Sequence, residues 1–333
     1  MDKIAAGSAT DRRDLFGESA SRLGMNPAIV EKDFWVCWIL KHLFAEPSLK
    51  EQIVFKGGTS LSKVFHLIER FSEDIDLILD WRLLGYGIAQ GNDPYQSIQS
   101  KTKQSRYNQE MNARAAEYIR GTLLAQLNHI FSPVDELRAS IDESDPHTVN
   151  VRFPAAFSAS YIRPAVRLEI GPLASWVPSS AQTIHPYAAD SFPKAFVEPD
   201  CAVIAIDAER TFWEKATILH QEAHRPGTVP ARYSRHYYDL YKLAESPIKD
   251  AALANRDLLQ AVVEFKERFY YSSWAHYDEA RPGSFRLLPP EKQRDALERD
   301  YRAMRDMFYR EPPTFGEIVG ALQTLENEIN AME

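Results

Sequence analysis

Cysteine is scarce in this 333-residue sequence, which contains Cys37 and Cys201 and no others. The two lie far apart and show no metal-ligand spacing. A disulfide scaffold and a zinc site are therefore not expected. A reducing compartment suits such a chain best, which favours the cytoplasm.

A long apolar segment is also missing. No run of apolar residues approaches the length needed to cross a bilayer, and the first residues soon lead into the charged stretch 11–14. We therefore expect a cytoplasmic protein that is neither secreted nor inserted into a membrane.

The third absence is an excess of positive charge. The chain has 39 Lys and Arg against 47 Asp and Glu, a formal net charge of −8. This balance argues against a protein coated in positive charge for non-specific nucleic-acid binding, although it leaves room for a local basic groove. The remaining composition, 44% hydrophobic and 26% charged, is typical of one large or two ordinary globular domains.

A glycine pair follows a short apolar segment in the first fifth of the chain. Residues 53–55 are predicted as a strand, Gly57 and Gly58 as a turn able to adopt positive φ, and residues 59–69 as a helix. Strand, glycine turn and helix form a phosphate-binding layout, because backbone N–H groups can approach a phosphate and the helix N-terminus adds partial positive charge. Ser60 could add a hydroxyl donor.

Two aspartates alternate with apolar residues shortly after that turn. In segment 74–79, Ile75, Leu77 and Leu79 share one face of a predicted strand, which places Asp74 and Asp76 together on the other. Adjacent like charges raise each other's pKa unless a cation lies between them, so the pair predicts bound Mg²⁺. An Asp-x-Asp alone could be a solvated strand end, but the glycine turn upstream favours nucleotidyl transfer.

A further acidic residue lies in one of the next predicted strands, 148–153 and 166–170. In the second of these, Arg167 and Glu169 share the face opposite the apolar residues. If this strand lies beside the Asp-x-Asp strand, Glu169 could supply a third metal ligand. An ordinary surface glutamate fits the pattern nearly as well.

Charged residues interrupt two predicted helical regions. Lys32 and Asp33 lie in an apolar helix within 11–47, where a surface ion pair and a functional role are equally compatible with the pattern. Residues 101–131 are predicted as one long helix or two with a basic face, which could be solvated or could contact RNA.

Residues 201–206 are predicted as a buried strand, and Asp207 as the cap of the following helix. The remaining chain is predicted to be helical over 208–223, 233–245, 251–270, 291–309 and 315–331. The sequence therefore predicts an α+β fold with a first domain at 1–206 and a helical domain at 207–333.

A second polar group lies in these helices. Lys215 interrupts an otherwise apolar helix, where it could be a functional cation or a surface lysine with its charge in solvent. Arg235 and Asp239 stand four residues apart on the next helix, a spacing also typical of a routine ion pair.

These motifs together resemble the AbiEii/AbiGii nucleotidyltransferase toxins, relatives of the MenT-type toxins within the DNA polymerase β-like superfamily. The resemblance is carried by five blocks in order, at residues 30–36, 55–61, 70–77, 209–215 and 235–240. It implies a polymerase β-like nucleotidyltransferase domain whose nucleotide cleft is closed by the helical domain.

The resemblance also implies roles for individual residues. Asp74, Asp76 and Glu169 would bind Mg²⁺, with Glu169 as the third carboxylate of the superfamily. Lys215 would face the nucleotide phosphates, and Asp239 would orient Lys215 or accept a proton from the attacking hydroxyl. The implied catalytic residues are Asp74, Asp76, Lys215 and Asp239. The implied nucleotide-binding residues are Gly57, Gly58, Thr59, Ser60, Ser72, Lys215 and Arg235.

The implied function is that of a toxin in a toxin–antitoxin or abortive-infection (antiviral defence) system. It would transfer NMP from an NTP to an RNA acceptor, with the tRNA 3′ end favoured, and a cognate antitoxin would be a possible partner. Three alternatives stay open: nucleotidylation of a protein hydroxyl, a metal-dependent Asp-x-Asp glycosyltransferase, and a non-catalytic interaction protein on the same fold.

Overall fold

The structure, a computed structural model, describes residues 1–96, 98, 100–157 and 163–332. It divides the chain into two compact units. Unit 1 comprises Met1–Val64 and Phe71–Ile206, and unit 2 comprises Phe65–Arg70 and Asp207–Glu333. Residues 65–70, which the sequence placed in the first domain, thus belong to unit 2.

Unit 1 is built on a mixed sheet flanked by helices, whose strands follow the order β3-β4-β5-β2-β1-β7-β6. The strands are β1 (Ile53–Lys56), β2 (Asp74–Leu79), β3 (Arg138–Ile141), β4 (Thr148–Arg152), β5 (Ala165–Gly171), β6 (Ser179–Ile184) and β7 (Cys201–Ile206). The helices are α1 (Asp2–Ala5), α2 (Ala9–Leu23), α3 (Pro27–Ala45), α4 (Gly57–Lys63), α5 (Lys101–Tyr118), α6 (Leu124–Phe131) and α7 (Tyr187–Ser191).

Strand β2 lies in the middle of this sheet. It pairs antiparallel to β1, with Asp76 opposite Lys56, and parallel to β5, with Asp76 opposite Glu169. Helix α3 packs its aromatic residues into the core, where Trp35 and Trp38 are fully or almost fully buried. The predicted acidic residues are therefore carried by adjacent central strands.

Unit 2 is helical. Its helices are α8 (Ala208–Ala223), α9 (Ser234–Ala244), α10 (Ile248–Ala254), α11 (Arg256–Phe269), α12 (Glu291–Ala303) and α13 (Phe315–Asn330). The segment 65–70 joins this unit through a β-bridge between Arg70 and Phe308 and through a hydrogen bond that the Glu69 N–H donates to Tyr238 Oη at 3.2 Å.

The α+β fold class is confirmed, and strands β1, β2, β5 and β7 and helix α8 lie where the sequence predicts them. Three predicted helices were wrong in extent. The helix predicted over 59–69 ends at Lys63, and the helix predicted over 251–270 is two helices separated at Asn255, whose side chain accepts a hydrogen bond from the Leu258 N–H. The helix predicted over 291–309 ends at Ala303.

Two strands were not predicted at all, β3 and β6. Within the described residues, no helix combines the length and apolar character that crossing a bilayer would require.

Candidate functional site

Gly57 is the first residue of α4, directly after β1, and adopts a conformation that favours glycine, with φ of +86°. A Cβ atom at this position would lie 1.8 Å from Asp76 Oδ2. Any other residue would therefore have to displace the Asp76 carboxylate, in addition to straining the backbone. Gly58 follows within α4 and is buried. The predicted glycine turn thus makes room for a predicted metal ligand.

Two hydroxyl groups of α4 form hydrogen bonds that hold this region in place. Thr59 Oγ1 donates to the Ser72 carbonyl at 3.2 Å and makes a short hydrogen bond to the Asp74 carbonyl. Ser60 is fully buried and its Oγ donates to the Gly57 carbonyl at 2.8 Å. These hydroxyl protons are used by the protein backbone, so the nucleotide-binding roles of Thr59, Ser60 and Ser72 stay predictions.

Asp74 and Asp76 lie on one face of β2, alternating with the buried Ile75 and Leu77, as predicted. Burial raises the pKa of Asp74 above its usual value, and the neighbouring charges of Glu73 and Asp76 raise it further. Asp74 Oδ1 is buried and accepts no hydrogen bond from the described part of the chain.

The cation nearest to this oxygen is Arg167, whose Nε lies 3.7 Å from Asp74 Oδ1. That distance allows charge attraction but is too long for a hydrogen bond. An acceptor oxygen left without a donor, in a cluster of like charges, fits a bound cation.

Glu169 lies opposite Asp76 in the parallel register of β2 and β5, with its side chain 43% exposed. One of its carboxylate oxygens is 3.4 Å from Arg167 Nη2. Across the described ranges, no three His, Cys, Asp or Glu side chains form a group that could hold a metal ion. The structure therefore does not assemble Asp74, Asp76 and Glu169 into one ligand set, and these metal roles stay predictions.

Two carboxylates are nevertheless a suitable protein contribution for Mg²⁺. This ion is usually held by one or two carboxylates, with substrate phosphates and water completing its octahedral shell. The unpaired Asp74 oxygen and the neighbouring Asp76 fit that donor set.

Three consecutive charged residues of α3 are buried beneath this site. The Lys32 ammonium lies 2.8 Å from Glu73 Oε2, and Asp33 Oδ1 lies 2.7 Å from the Lys63 ammonium. Glu31 accepts hydrogen bonds from two backbone N–H groups of the chain after β4. Burial lowers the pKa of Lys32, although Glu73 opposes this effect. These residues thus form buried ion pairs and hydrogen bonds within unit 1, and Lys32 and Asp33 do not form a surface ion pair.

In unit 2, Asp239 is fully buried and both of its oxygens are engaged. Arg70 Nε donates to Oδ1 at 2.7 Å and Arg70 Nη2 donates to Oδ2 at 2.8 Å, a bidentate arrangement. Lys215 Nζ donates to Oδ2 at 2.7 Å. Burial by itself would raise the pKa of Asp239, but the charges of Arg70 and Lys215 outweigh it and hold this pKa below the usual range.

Lys215 has a second close neighbour, because its Nζ lies 3.2 Å from His236 Nδ1. Burial lowers the pKa of Lys215, and the nearby Arg70 adds to this effect while Asp239 opposes it. The pKa of His236 lies well below its usual value because the ring is buried and faces the Lys215 charge. His236 is therefore neutral at physiological pH.

Arg235 is partly exposed, on the same helix as Asp239. The ion pair that its spacing suggests is not formed, because Asp239 is occupied by Arg70 and Lys215. In the described part of the chain, no hydrogen bond or ion pair engages the Arg235 guanidinium, although its charge reaches both Lys215 and His236. Two cations thus contact the Asp239 carboxylate, and the positive charge of Arg235 acts on Lys215 and His236 beside it.

The sequence predicted that Lys215, Arg235 and Asp239 lie close together. It did not indicate Arg70 as a partner of Asp239 or His236 as a partner of Lys215. Arg70 was visible as part of the 70–77 block, but its partner Asp239 is 169 residues away along the chain. His236 lies 21 residues after Lys215, and no local signal in the sequence links the two.

The comparison with family models identifies the class of protein. The model of the nucleotidyl transferase AbiEii toxin of type IV toxin–antitoxin systems matches residues 38–321, which is most of the chain. The chain belongs to this family, and the resemblance drawn from the five blocks is confirmed. It is therefore a nucleotidyltransferase toxin, for which the family implies a nucleotide substrate and an antitoxin.

Solved structures show more distant likenesses. The MenT4 nucleotidyltransferase toxin of Mycobacterium tuberculosis H37Rv is 15% identical, with 96% of this chain and 90% of that chain covered and a TM-score of 0.49. A protein from H. pylori described as a nucleotidyltransferase is 16% identical, with 89% and 93% covered and a TM-score of 0.38. No curated protein sequence matches the chain.

Proposed function

We propose that this AbiEii-family toxin is a Mg²⁺-dependent enzyme that transfers NMP from an NTP to the 3′ end of tRNA. The observation that carries the metal part is the fit of the Asp76 carboxylate against Gly57, beside an Asp74 oxygen that accepts no hydrogen bond. Gly57 thus combines a backbone conformation that favours glycine with a close approach of the Asp76 carboxylate, which a side chain at position 57 would displace.

In this proposal Asp74 and Asp76 hold the metal, and Glu169, which lies opposite Asp76 in the strand register, stays a predicted third ligand. When bound, Mg²⁺ would neutralise phosphate charge and lower the pKa of an attacking hydroxyl. The chain's own part is to hold the two carboxylates in place, through the Gly57 turn and the Thr59 hydrogen bond to the Asp74 backbone.

The nucleotide phosphates are assigned to Lys215 and Arg235, together with the backbone N–H groups at Gly57 and Gly58. Support comes from unit 2, where the charge of Arg235 acts on Lys215, which Asp239 holds by a hydrogen bond of 2.7 Å. Charge that builds on a transferring phosphoryl group would be stabilised by these fixed cations.

Asp239 is assigned a positioning role. Both of its oxygens already accept strong hydrogen bonds, and its pKa is held low by Arg70 and Lys215. A carboxylate in that state is a poor proton acceptor, so of the two roles considered for Asp239, orientation of Lys215 is the better supported.

The assignment of RNA as the acceptor rests on the family resemblance. The alternative acceptor is a protein hydroxyl. The family assignment removes the glycosyltransferase alternative, because AbiEii proteins are nucleotidyltransferases. The distinction between RNA and protein acceptors is therefore left to experiment.

The test is incubation of the purified protein with each α-labelled NTP and total RNA, with and without Mg²⁺. We expect label in tRNA only with Mg²⁺, and none with Asp76→Ala. The matched control is Asp190→Ala, which removes an exposed carboxylate of the same unit and should label normally. If the label is found in protein, the acceptor is a protein and not RNA. If no label is transferred, nucleotidyl transfer itself is refuted.

A second test uses living cells. Because a catalytic toxin acts by turnover, expression of the intact chain should arrest growth, whereas Asp76→Ala at equal abundance should not. Sequencing of tRNA 3′ ends before and after induction should show added nucleotides. Arrest with unaltered tRNA ends would rule out this acceptor.

A further inference from the structure

His236 and Asp239 lie three residues apart on α9, so both side chains emerge on the same face of the helix. That face meets Lys215 of α8. The Lys215 ammonium lies 2.7 Å from Asp239 Oδ2 and 3.2 Å from His236 Nδ1. Two neighbouring groups of α9 thus contact a single nitrogen atom.

The donor and acceptor roles in the histidine contact follow from chemistry. A lysine ammonium carries three protons and no lone pair, so His236 Nδ1 must be the acceptor and the ring proton must be on Nε2. The ring is buried, and Tyr233 packs edge-on against it with ring centroids 4.7 Å apart. The imidazole is therefore a neutral acceptor held in a fixed orientation.

With two of its three N–H groups committed, the Lys215 ammonium has one proton left for a ligand. A lysine at the end of a four-carbon chain otherwise behaves as a rotating point charge. We propose that His236 is a positioning residue, which together with Asp239 aims the remaining N–H of Lys215 at a phosphate oxygen of the substrate. This inference rests on the proposed nucleotide role of Lys215.

The alternative is that His236 only fills space. Substitutions of His236 distinguish a positioning role from a space-filling role. His236→Leu retains an apolar side chain but removes the acceptor. His236→Asn places its amide oxygen at the δ position, where Nδ1 lies, so that it can still accept from Lys215. His236→Gln is the matched control amide, because its oxygen lies one bond further out.

We expect kcat for nucleotidyl transfer to fall about 10- to 100-fold in His236→Leu, the range for loss of one hydrogen bond to a charged group. KM should change little, because an aimed N–H matters most when charge develops in the transition state. His236→Asn should restore most of the rate and His236→Gln should not. Equal rates for Asn and Gln would overturn the inference, and this pair still decides if the Leu variant does not fold.

A second readout does not need transfer activity. The pH dependence of Lys215 acetylation by acetic anhydride, followed by mass spectrometry, reports the protonation of its amine. Asp239, Arg70 and Arg235 face this amine in every variant. Loss of a neutral acceptor disfavours the charged amine, so His236→Leu should move the onset of labelling to lower pH, and His236→Asn should reverse the shift.

The two readouts separate failure of the inference from failure of the proposed function. A wild-type protein without transfer activity, but with the expected labelling shift in His236→Leu, would refute the proposed function and retain the Lys215–His236 contact. A fully active His236→Leu variant with unshifted labelling would refute the positioning role.

Discussion

Buried carboxylates have opposite electrostatic surroundings in the two units. In unit 1, Glu73, Asp74 and Asp76 form an acidic cluster in which like charges raise the pKa of Asp74 and one of its oxygens accepts no hydrogen bond from the described chain. In unit 2, Asp239 is clamped by Arg70 and Lys215, and its pKa is lowered.

We interpret the acidic cluster of unit 1 as charge that serves to bind a ligand, and the ion pairs of Asp239 in unit 2 as charge that stabilises the fold. The acidic cluster is costly in the protein alone, because Lys32 and Arg167 only partly relieve its repulsion and a bound cation would relieve it further. In contrast, both oxygens of Asp239 already accept hydrogen bonds from cations of the chain itself, Arg70 and Lys215. The following predictions test this contrast, beginning with the largest effect.

Asp239→Asn should destabilise the protein by about 3–5 kcal/mol, because it leaves two buried cations without their carboxylate. Since the folded-state pKa of Asp239 lies below the unfolded value, its contribution is present above the unfolded pKa and is lost as pH falls through the folded pKa. The difference between wild type and variant should therefore shrink on acidification. Urea unfolding at several pH values measures this.

The control for that variant is Asp295→Asn, an exposed carboxylate on α12 of the same unit. Its unfolding free energy should change by less than about 0.5 kcal/mol, the usual range for such surface positions. Equal stability of the two variants would contradict the description of Asp239 as a structural anchor.

Lys215→Ala should cost about 2–4 kcal/mol of transition-state stabilisation, because phosphate charge is left unmatched. Folding should suffer less than in Asp239→Asn, since Arg70 still engages both oxygens of Asp239. The measurement is kcat/KM over an NTP titration. Lys249→Ala, which removes a half-exposed lysine paired with Glu328, is the control and should match wild type. Unchanged kinetics in Lys215→Ala would make this lysine structural.

Gly57→Ala should impair transfer and lower stability by about 1–3 kcal/mol, because the new Cβ occupies the position of Asp76 Oδ2. Gly91 offers a matched control: its φ is +68°, yet a Cβ there meets nothing within 4 Å. Gly91→Ala should carry a backbone cost with normal transfer. If both variants transfer equally well, the position of Asp76 is not critical.

Asp74→Asn should have the smallest effect on stability and the opposite sign to Asp239→Asn. The raised pKa of Asp74 means that ionisation disfavours the folded state, so stability is lost as pH rises through the folded pKa. Lys32 and Arg167 only partly offset Glu73 and Asp76. The variant should gain about 1 kcal/mol or less at pH 7.

That gain should diminish as the solution is acidified, where wild-type Asp74 is protonated. Saturating Mg²⁺ should raise the melting temperature of wild type more than that of Asp74→Asn. Equal Mg²⁺ effects on the two proteins would remove Asp74 from the metal site.

Local patterns in the sequence were enough to find the central strands. The alternation of apolar and polar residues located β2 and β5 and placed Asp74, Asp76 and Glu169 on their polar faces. Strand β6 was missed because its residues, 179–184, are mostly polar and carry no such alternation. The helix after Gly57 was extended too far because Phe65 and Ile68 continue the apolar periodicity.

That periodicity has another physical origin. Residues 65–70 pack with unit 2 and leave the helix after Lys63, so tertiary contacts outweigh local helical preference. The pairing of Asp239 with Lys215 agrees with the structure, but its second partner, Arg70, was missed for a similar reason. A sequence shows Arg235 at helical spacing, but Arg70 reaches Asp239 from a distant segment that no local pattern reveals.

The membership of residues 65–70 in unit 2 has a consequence for synthesis on the ribosome. Arg70 leaves the ribosome 169 residues before Asp239, a delay of about 10–30 s at usual translation rates. A nascent or truncated chain that stops before Asp239 already carries the whole acidic cluster, yet it lacks the carboxylate that holds Arg70 and Lys215. The cluster of Arg70, Lys215 and Asp239 is therefore complete only after more than two thirds of the chain has been synthesised.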